Sequence, residues 1–155
     1  MQGYKVLKNV IPSTYLKIAQ KETLRLKTWL LKENLLGTRS ELGTGEYWRG
    51  IETAGRLSRA LKQMYESPFM LELAREELGD TFYMYNDQVV VKMPKEPFAF
   101  EPHRDNQYGQ DPTGHFKTLN FTWILDDQKD IRVMDGMVWL QPELEAGDIL
   151  ILDGN

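Results

Sequence analysis

Apolar residues recur at near-helical spacing through the first half of the chain. The first such run follows Pro12-Ser13, where the serine is a candidate N-terminal cap, and it continues to Gly37, a residue type that commonly ends helices. Its apolar positions are Leu16, Ala19, Leu24, Trp29, Leu30 and Leu36. Residues 37–50 are polar and rich in glycine, which predicts a loop. The pattern then predicts a second helix over about residues 51–65.

A third helix is predicted to open at Ser67-Pro68 and to end before Gly79. Serine caps helix N-termini, and proline suits the first helical position because its missing N–H would be unpaired there in any case. The predicted buried stripe of this helix is Leu71, Leu73, Ala74 and Leu78. Residues 1–79 are therefore predicted to be the helical part of the protein.

The second half of the chain changes from helical spacing to short β-branched and aromatic runs. Pro, Gly, Asp and Asn separate these runs, as is typical of strands joined by turns. The predicted strands are residues 81–85, 88–92, 98–101, 119–125, 136–140 and 148–152. We therefore predict one α+β domain spanning residues 1–155, with a mostly β core over residues 80–155 and the helices packed outside an antiparallel sandwich or barrel.

Charge and composition narrow the class of protein. The net charge of -4 and the pI near 5.3 argue against a general nucleic-acid or anionic-membrane binder. Acidic residues crowd the end of the chain, Asp148 among them, and solvated turns are the favoured interpretation. The absence of cysteine excludes disulfides, zinc ribbons and thiol nucleophiles. With no signal-peptide pattern and no apolar run of membrane-spanning length, we expect a soluble, cytoplasmic protein.

The tripeptide His103-Arg104-Asp105 carries the most specific candidate chemistry. On an extended strand, residues two apart point to the same face, so His103 and Asp105 can converge on one metal ion. One imidazole and one carboxylate, joined by a second histidine, form the ligand set of non-haem Fe(II) oxygenases. The alternative is a solvated turn after Pro102 in which Asp105 bonds its own backbone. The chain has one other histidine, His115, and no serine lies in a nucleophile-elbow pattern.

An ordered series of motifs surrounds this tripeptide, and together the series resembles the phytanoyl-CoA dioxygenase family of Fe(II)/2-oxoglutarate oxygenases. The resemblance covers about residues 81–155. The helices before it match the family only in general character. The motifs are QVVVKMP (88–94), FAFEPHRDNQY (98–108), LNFTWILDD (119–127), DGMVWLQP (135–142) and GDILILDG (147–154).

The resemblance implies a double-stranded β-helix, or jelly roll, that hydroxylates a small molecule while 2-oxoglutarate becomes succinate and CO2. His103 and Asp105 match the first two iron ligands, and are thereby the implied catalytic pair. Gln88 and Trp123 match positions that line the 2-oxoglutarate pocket. The remaining two matches are Lys92, which closes the same strand as Gln88, and Tyr108, which would face the substrate. Alternatively, Trp123 is a core residue, and Lys92 ends a strand with its charge in water.

The family pattern continues with a second metal-binding histidine and then an arginine, both placed after the strand that resembles residues 148–153. The sequence ends at Asn155, before both positions. The resemblance therefore implies a jelly roll incomplete at its C-terminal end, with unpaired strand edges that predict a homodimer. Two alternative functions stay open: an inactive homologue that binds a ligand or partner, and a generic β-sandwich binding module in which His103 and Asp105 are loop residues.

Overall fold

The structure, a computed structural model, describes residues 3–33, 39–40, 47–48, 50–52, 54–91, 103–104, 117–128 and 131–154. Of residues 39–40, 47–48 and 50–52, only the backbone is described. In chain order the elements are β1 (Tyr4–Leu7), α1 (Ser13–Lys32), β2 (Arg39–Ser40), β3 (Tyr47–Trp48), β4 (Gly50–Glu52), α2 (Ala54–Leu57), α3 (Arg59–Tyr65), α4 (Pro68–Leu78), β5 (Gln88–Val90), β6 (Leu119–Trp123), β7 (Val133–Asp135), β8 (Val138–Leu140) and β9 (Ile149–Asp153).

The chain divides into two compact units. One consists of residues 1–17 with 103–155, and the other of residues 18–102. The first unit is built on an antiparallel sheet in the order β1-β9-β6. The second contains most of α1, the helices α2 to α4, and the antiparallel strand pairs β2-β3 and β4-β5.

Strand β9 is the centre of the three-stranded sheet. Its residues Ile149, Leu150 and Ile151 are at most 1% exposed. Successive strand residues point to opposite faces, so burial of all three means that both faces of β9 are covered. A run of apolar residues without alternation is the sequence expected for such a strand. On the face of Leu150, a buried cluster contains Ile124, Val133 and Leu144.

Strands β7 and β8 form a hairpin in the same unit, with Met134 opposite Trp139. Gly136 in the turn has a φ of 62°, a conformation that glycine adopts without steric cost. Val133 joins the buried cluster, and Leu140 packs against it. Met137, at the tip of the hairpin, is 98% exposed. The hairpin therefore covers the core with one face and meets solvent with its tip.

Helix α4 has both of the ends predicted from sequence. Ser67 caps its N-terminus by accepting a hydrogen bond from Met70 N, and Pro68 takes the first helical position. Gly79 ends the helix with a φ of 89°. Its buried face differs in part from the predicted stripe. Met70, Leu73 and Ala74 are buried, whereas Leu71 is 41% exposed.

Three local predictions of secondary structure were wrong. Residues 37–50 were predicted to be a loop, but they contain the antiparallel pair β2-β3 and the first residue of β4. The helix expected over residues 51–65 is instead strand β4 followed by α2 and α3, separated at Ser58. Ser58 caps α3 by accepting from Leu61 N, so a new helix begins where one continuous helix had been predicted. Residues 81–85 form no regular structure. Tyr83, 78% exposed, shows that their β-type composition is not matched by a buried face.

The fold class is confirmed at the coarse level, as a mixture of helices and antiparallel sheet. Within the described ranges, the strands do not close into a barrel. The strand predicted over residues 98–101 lies outside those ranges. Among the described helices, none combines the length and the apolar character needed to cross a membrane.

Candidate functional site

His103 lies outside regular structure and is exposed, as is Arg104 beside it. Asp105 lies outside the described residues, so the prediction that the two side chains share one face stays a prediction. The same holds for Lys92, Tyr108 and His115. In the described part of the chain, no group of three or more His, Cys, Asp or Glu side chains is arranged to hold a metal ion.

Trp123 is the last residue of β6, in the same compact unit as His103. It pairs across the sheet with Ile149, and it is half-buried. Alternation along the strand places Trp123 on the face of Ile149 and Ile151, opposite the face on which Leu150 joins the buried cluster. The indole therefore lies on the other side of the sheet from that cluster.

Gln88 belongs to the other compact unit, where it opens strand β5 and pairs with Glu52 of β4. Its side chain is exposed. The preceding residue, Asp87, accepts a 2.7 Å hydrogen bond through Oδ2 from the backbone N–H of Gly55. This bond ties the start of β5 to the start of α2, so Gln88 follows an anchored residue.

Tyr65 packs directly against Gly55. A Cβ atom at Gly55 would lie 2.6 Å from Cζ and 2.8 Å from Cε1 of the Tyr65 ring, closer than non-bonded carbon atoms approach. Burial raises the pKa of the Tyr65 hydroxyl, and the negative charges of Asp87 and Glu66 raise it further. Position 55 requires glycine because any larger side chain there would overlap the Tyr65 ring.

Sequence reasoning missed a buried and hydrogen-bonded acidic side chain, Asp148, which is 1% exposed. Its Oδ2 accepts from Lys8 Nζ at 2.6 Å and from Glu145 N at 2.8 Å, and its Oδ1 accepts from Asn9 N at 2.8 Å. Burial would raise the pKa of this carboxyl. The hydrogen bonds from Glu145, Lys8 and Asn9 outweigh burial and hold the pKa below its ordinary value.

The sequence pattern predicts that Asp148 is a solvated turn residue, and the structure shows that this prediction is wrong. A sequence signal was present in the position of Asp148 between Gly147 and the apolar run of β9. Gly147 has a φ of 104°, and a side chain there would contact Asn9. The turn at Gly147 leads directly into the buried strand β9, and the side chain of Asp148 between them is therefore buried as well.

A second bonded carboxylate, Glu22, lies in the helical unit. The Arg25 guanidinium donates to it at 2.8 Å, and the Ser58 hydroxyl donates at 2.7 Å. These two groups lower the pKa of Glu22, against the opposing effect of burial. Ser58 thus caps α3 and also joins it to α1.

The donor types at the candidate site suit a divalent metal. An imidazole nitrogen and a carboxylate oxygen are the ligands that Fe(II) accepts in oxygenases. Asp148 is engaged by three donors in holding the fold, and Glu22 by Arg25 and Ser58, so neither is a candidate metal ligand. His103 and Asp105 remain the candidates, and Trp123 is one of the described aromatic residues of the same unit.

Comparison with protein-family models gives no match for this chain, and comparison with curated proteins gives none either.

Proposed function

We propose that this chain is an Fe(II)/2-oxoglutarate-dependent dioxygenase-like protein that hydroxylates a small molecule. The observation that carries the proposal is the ordered series of motifs around His103-Arg104-Asp105, which resembles the phytanoyl-CoA dioxygenase family from about residue 81 onward. A His-x-Asp tripeptide alone has low specificity, whereas five motifs in one order have much more.

The finer fold belongs to the same proposal. We infer a jelly roll in which β6 and β9 are neighbouring core strands. Their antiparallel pairing, with Trp123 opposite Ile149, is compatible with that architecture. The unbroken burial of β9 also fits an inner strand covered on both faces.

In this proposal, the imidazole of His103 and the carboxylate of Asp105 hold Fe(II). When bound, the iron would supply the oxygen activation that couples decarboxylation of 2-oxoglutarate to hydroxylation. Trp123 contributes an apolar wall that excludes water from the co-substrate. The roles that the resemblance gives to Gln88, Lys92 and Tyr108 remain predictions, as does the homodimer, for which sedimentation velocity is the test.

The experiment is an anaerobic titration of the purified chain with Fe(II) and 2-oxoglutarate, followed by the visible metal-to-ligand charge-transfer band of the chelate. We expect the band in the wild type and its loss in His103→Ala. His115→Ala is the matched control, because it removes the other histidine of the chain. It is expected to retain the band.

Two results would overturn the proposal. One is a folded wild-type protein that gives no band with both ligands present. The other is a band that survives His103→Ala, since the iron would then be bound elsewhere. Circular dichroism of each variant establishes that a lost band does not reflect unfolding.

A further inference from the structure

Three separate stretches of the chain meet at Asp148, two at its carboxylate and one at its backbone. Lys8 and Asn9 come from the turn after β1, and Glu145 comes from the turn before β9. The Lys8 ammonium also donates to Glu143 O at 3.2 Å, which ties the same two stretches a second time. A buried carboxylate with charged and backbone donors holds its surroundings in one arrangement, because each lost bond leaves a buried polar group unpaired.

The third stretch is the end of β6, reached through the backbone. Ile124 N donates to Asp148 O at 3.0 Å, and Gly147 N donates to Ile124 O at 2.9 Å. Ile124 directly follows Trp123, whose own partner across the sheet is Ile149. The backbones of Gly147, Asp148 and Ile149 therefore set the position of the end of β6, which carries the indole of Trp123.

We propose that Asp148, assisted by Lys8, is a positioning residue for Trp123 and through it for the 2-oxoglutarate site. This inference rests on the proposed function for the identity of the ligand, but not for the effect of Asp148 on the indole. The carboxylate fixes the Glu145–Asp148 turn, the turn fixes Ile124, and Ile124 fixes the rotation and depth of Trp123. No atom of Asp148 needs to touch the co-substrate.

The variants are Asp148→Asn, which replaces one acceptor oxygen by a donor, and Lys8→Met, a milder change at a side chain that is 52% exposed. Glu145→Gln is the matched control. Its side chain is 75% exposed and 4.0 Å from Lys8, and Asp148 accepts from the Glu145 backbone, which the substitution leaves in place. Leu73→Ala in α4 is the stability control, because it weakens the other compact unit.

The first readout is the affinity of the Fe(II)-loaded protein for 2-oxoglutarate, from the charge-transfer band. We expect Asp148→Asn to raise Kd about tenfold, equivalent to one displaced contact, and Lys8→Met to raise it less. Glu145→Gln and Leu73→Ala are expected to leave Kd unchanged at a temperature where all variants are folded. If loss of stability alone weakened binding, Leu73→Ala would also raise Kd. A raised Kd in Asp148→Asn but not in Leu73→Ala therefore indicates a positioning effect.

The second readout needs no iron. In a Trp29→Phe/Trp48→Phe/Trp139→Phe background, Trp123 is the sole remaining tryptophan, and acrylamide quenching reports its exposure. We expect Asp148→Asn and Lys8→Met to increase the quenching constant, with both controls unchanged. If the wild type gives no band but the quenching responds, the proposed function fails and the positioning role stands. Unchanged quenching in Asp148→Asn and Lys8→Met overturns the positioning role, whatever the iron result.

Discussion

The substitution Gly55→Ala tests the packing of the helical unit, because the expected change in the free energy of unfolding has a definite sign. The new Cβ would lie 2.6 Å from Tyr65 Cζ and 2.8 Å from Cε1, so the half-buried ring must move. Overpacking of this kind costs about 1–3 kcal/mol. Alanine in place of glycine in a helix gains at most about 1 kcal/mol. We therefore expect Gly55→Ala to lower the free energy of unfolding by roughly 1–2 kcal/mol.

Removal of the ring should reverse the sign of this effect. A Tyr65→Ala background removes the three atoms nearest to the new Cβ, and Gly55→Ala is then expected to stabilise the protein by about 0.5–1 kcal/mol. The two substitutions should thus couple by about 2 kcal/mol, within the range seen for residues in contact. The assay is equilibrium urea unfolding of the four members of the cycle, with the slope m compared to confirm the same unfolding transition.

Gly79→Ala provides the matched control for this cycle. It also adds a methyl group at a glycine, but it is expected to destabilise because of the φ of 89°, with no atom within 4 Å of the new Cβ. Its cost should be the same with and without the Tyr65 ring. Equal costs of Gly55→Ala in both backgrounds would refute the steric reasoning.

Three further predictions concern stability. Ser67→Ala should cost about 1 kcal/mol as a lost helix cap, and Ser58→Ala roughly 2 kcal/mol, because Ser58 also donates to a carboxylate; equal losses in urea unfolding would contradict this. The folded-state pKa of Asp148 lies below its ordinary 3.8, so the carboxylate stabilises the folded protein above that value, and this stabilisation is lost as the pH falls through the folded pKa. The free energy of unfolding should therefore differ between wild type and Asp148→Asn by roughly 3 kcal/mol at neutral pH. Urea titrations at increasingly acid pH should show this difference becoming smaller. Leu150→Ala should cost about 2–5 kcal/mol, whereas Met137→Ser at the exposed hairpin tip should change thermal stability by less than about 0.5 kcal/mol.

Features set by neighbouring residues could be predicted from the sequence. The ends of α4 follow from Ser67-Pro68 and Gly79, since capping depends on groups within one helical turn. Strand β9 could be predicted from its uninterrupted apolar run. Features set by distant residues could not. Residues 4–7 become strand β1 only through pairing with β9, and residues 81–85 have a strand-like composition but form no strand.

In the candidate site, too, some features could be predicted from neighbouring residues and others depend on distant ones. His103 and Asp105 are candidates on the basis of local spacing, and Trp123 on the basis of a motif within a predicted strand; all three stay predictions. The burial of Asp148 could not be read locally, because the groups that bond it include Lys8 and Asn9, near the other end of the chain. An acidic residue is expected to be exposed unless its carboxylate is paired. The hydrogen-bond donors that pair with Asp148 are identified only by the three-dimensional structure.

The pairing of β1 with β9 gives this sheet a very high contact order. Tyr4 lies opposite Leu152, and the ion pair of Lys8 with Asp148 spans 140 positions. Contacts of such separation form late, since loop closure must precede any gain from pairing. At ribosomal rates of about 5–20 residues per second, β1 waits roughly 7–30 seconds for its partner strand to be made. During that interval the first strand is an unpaired edge, available to chaperones or to a neighbouring nascent chain.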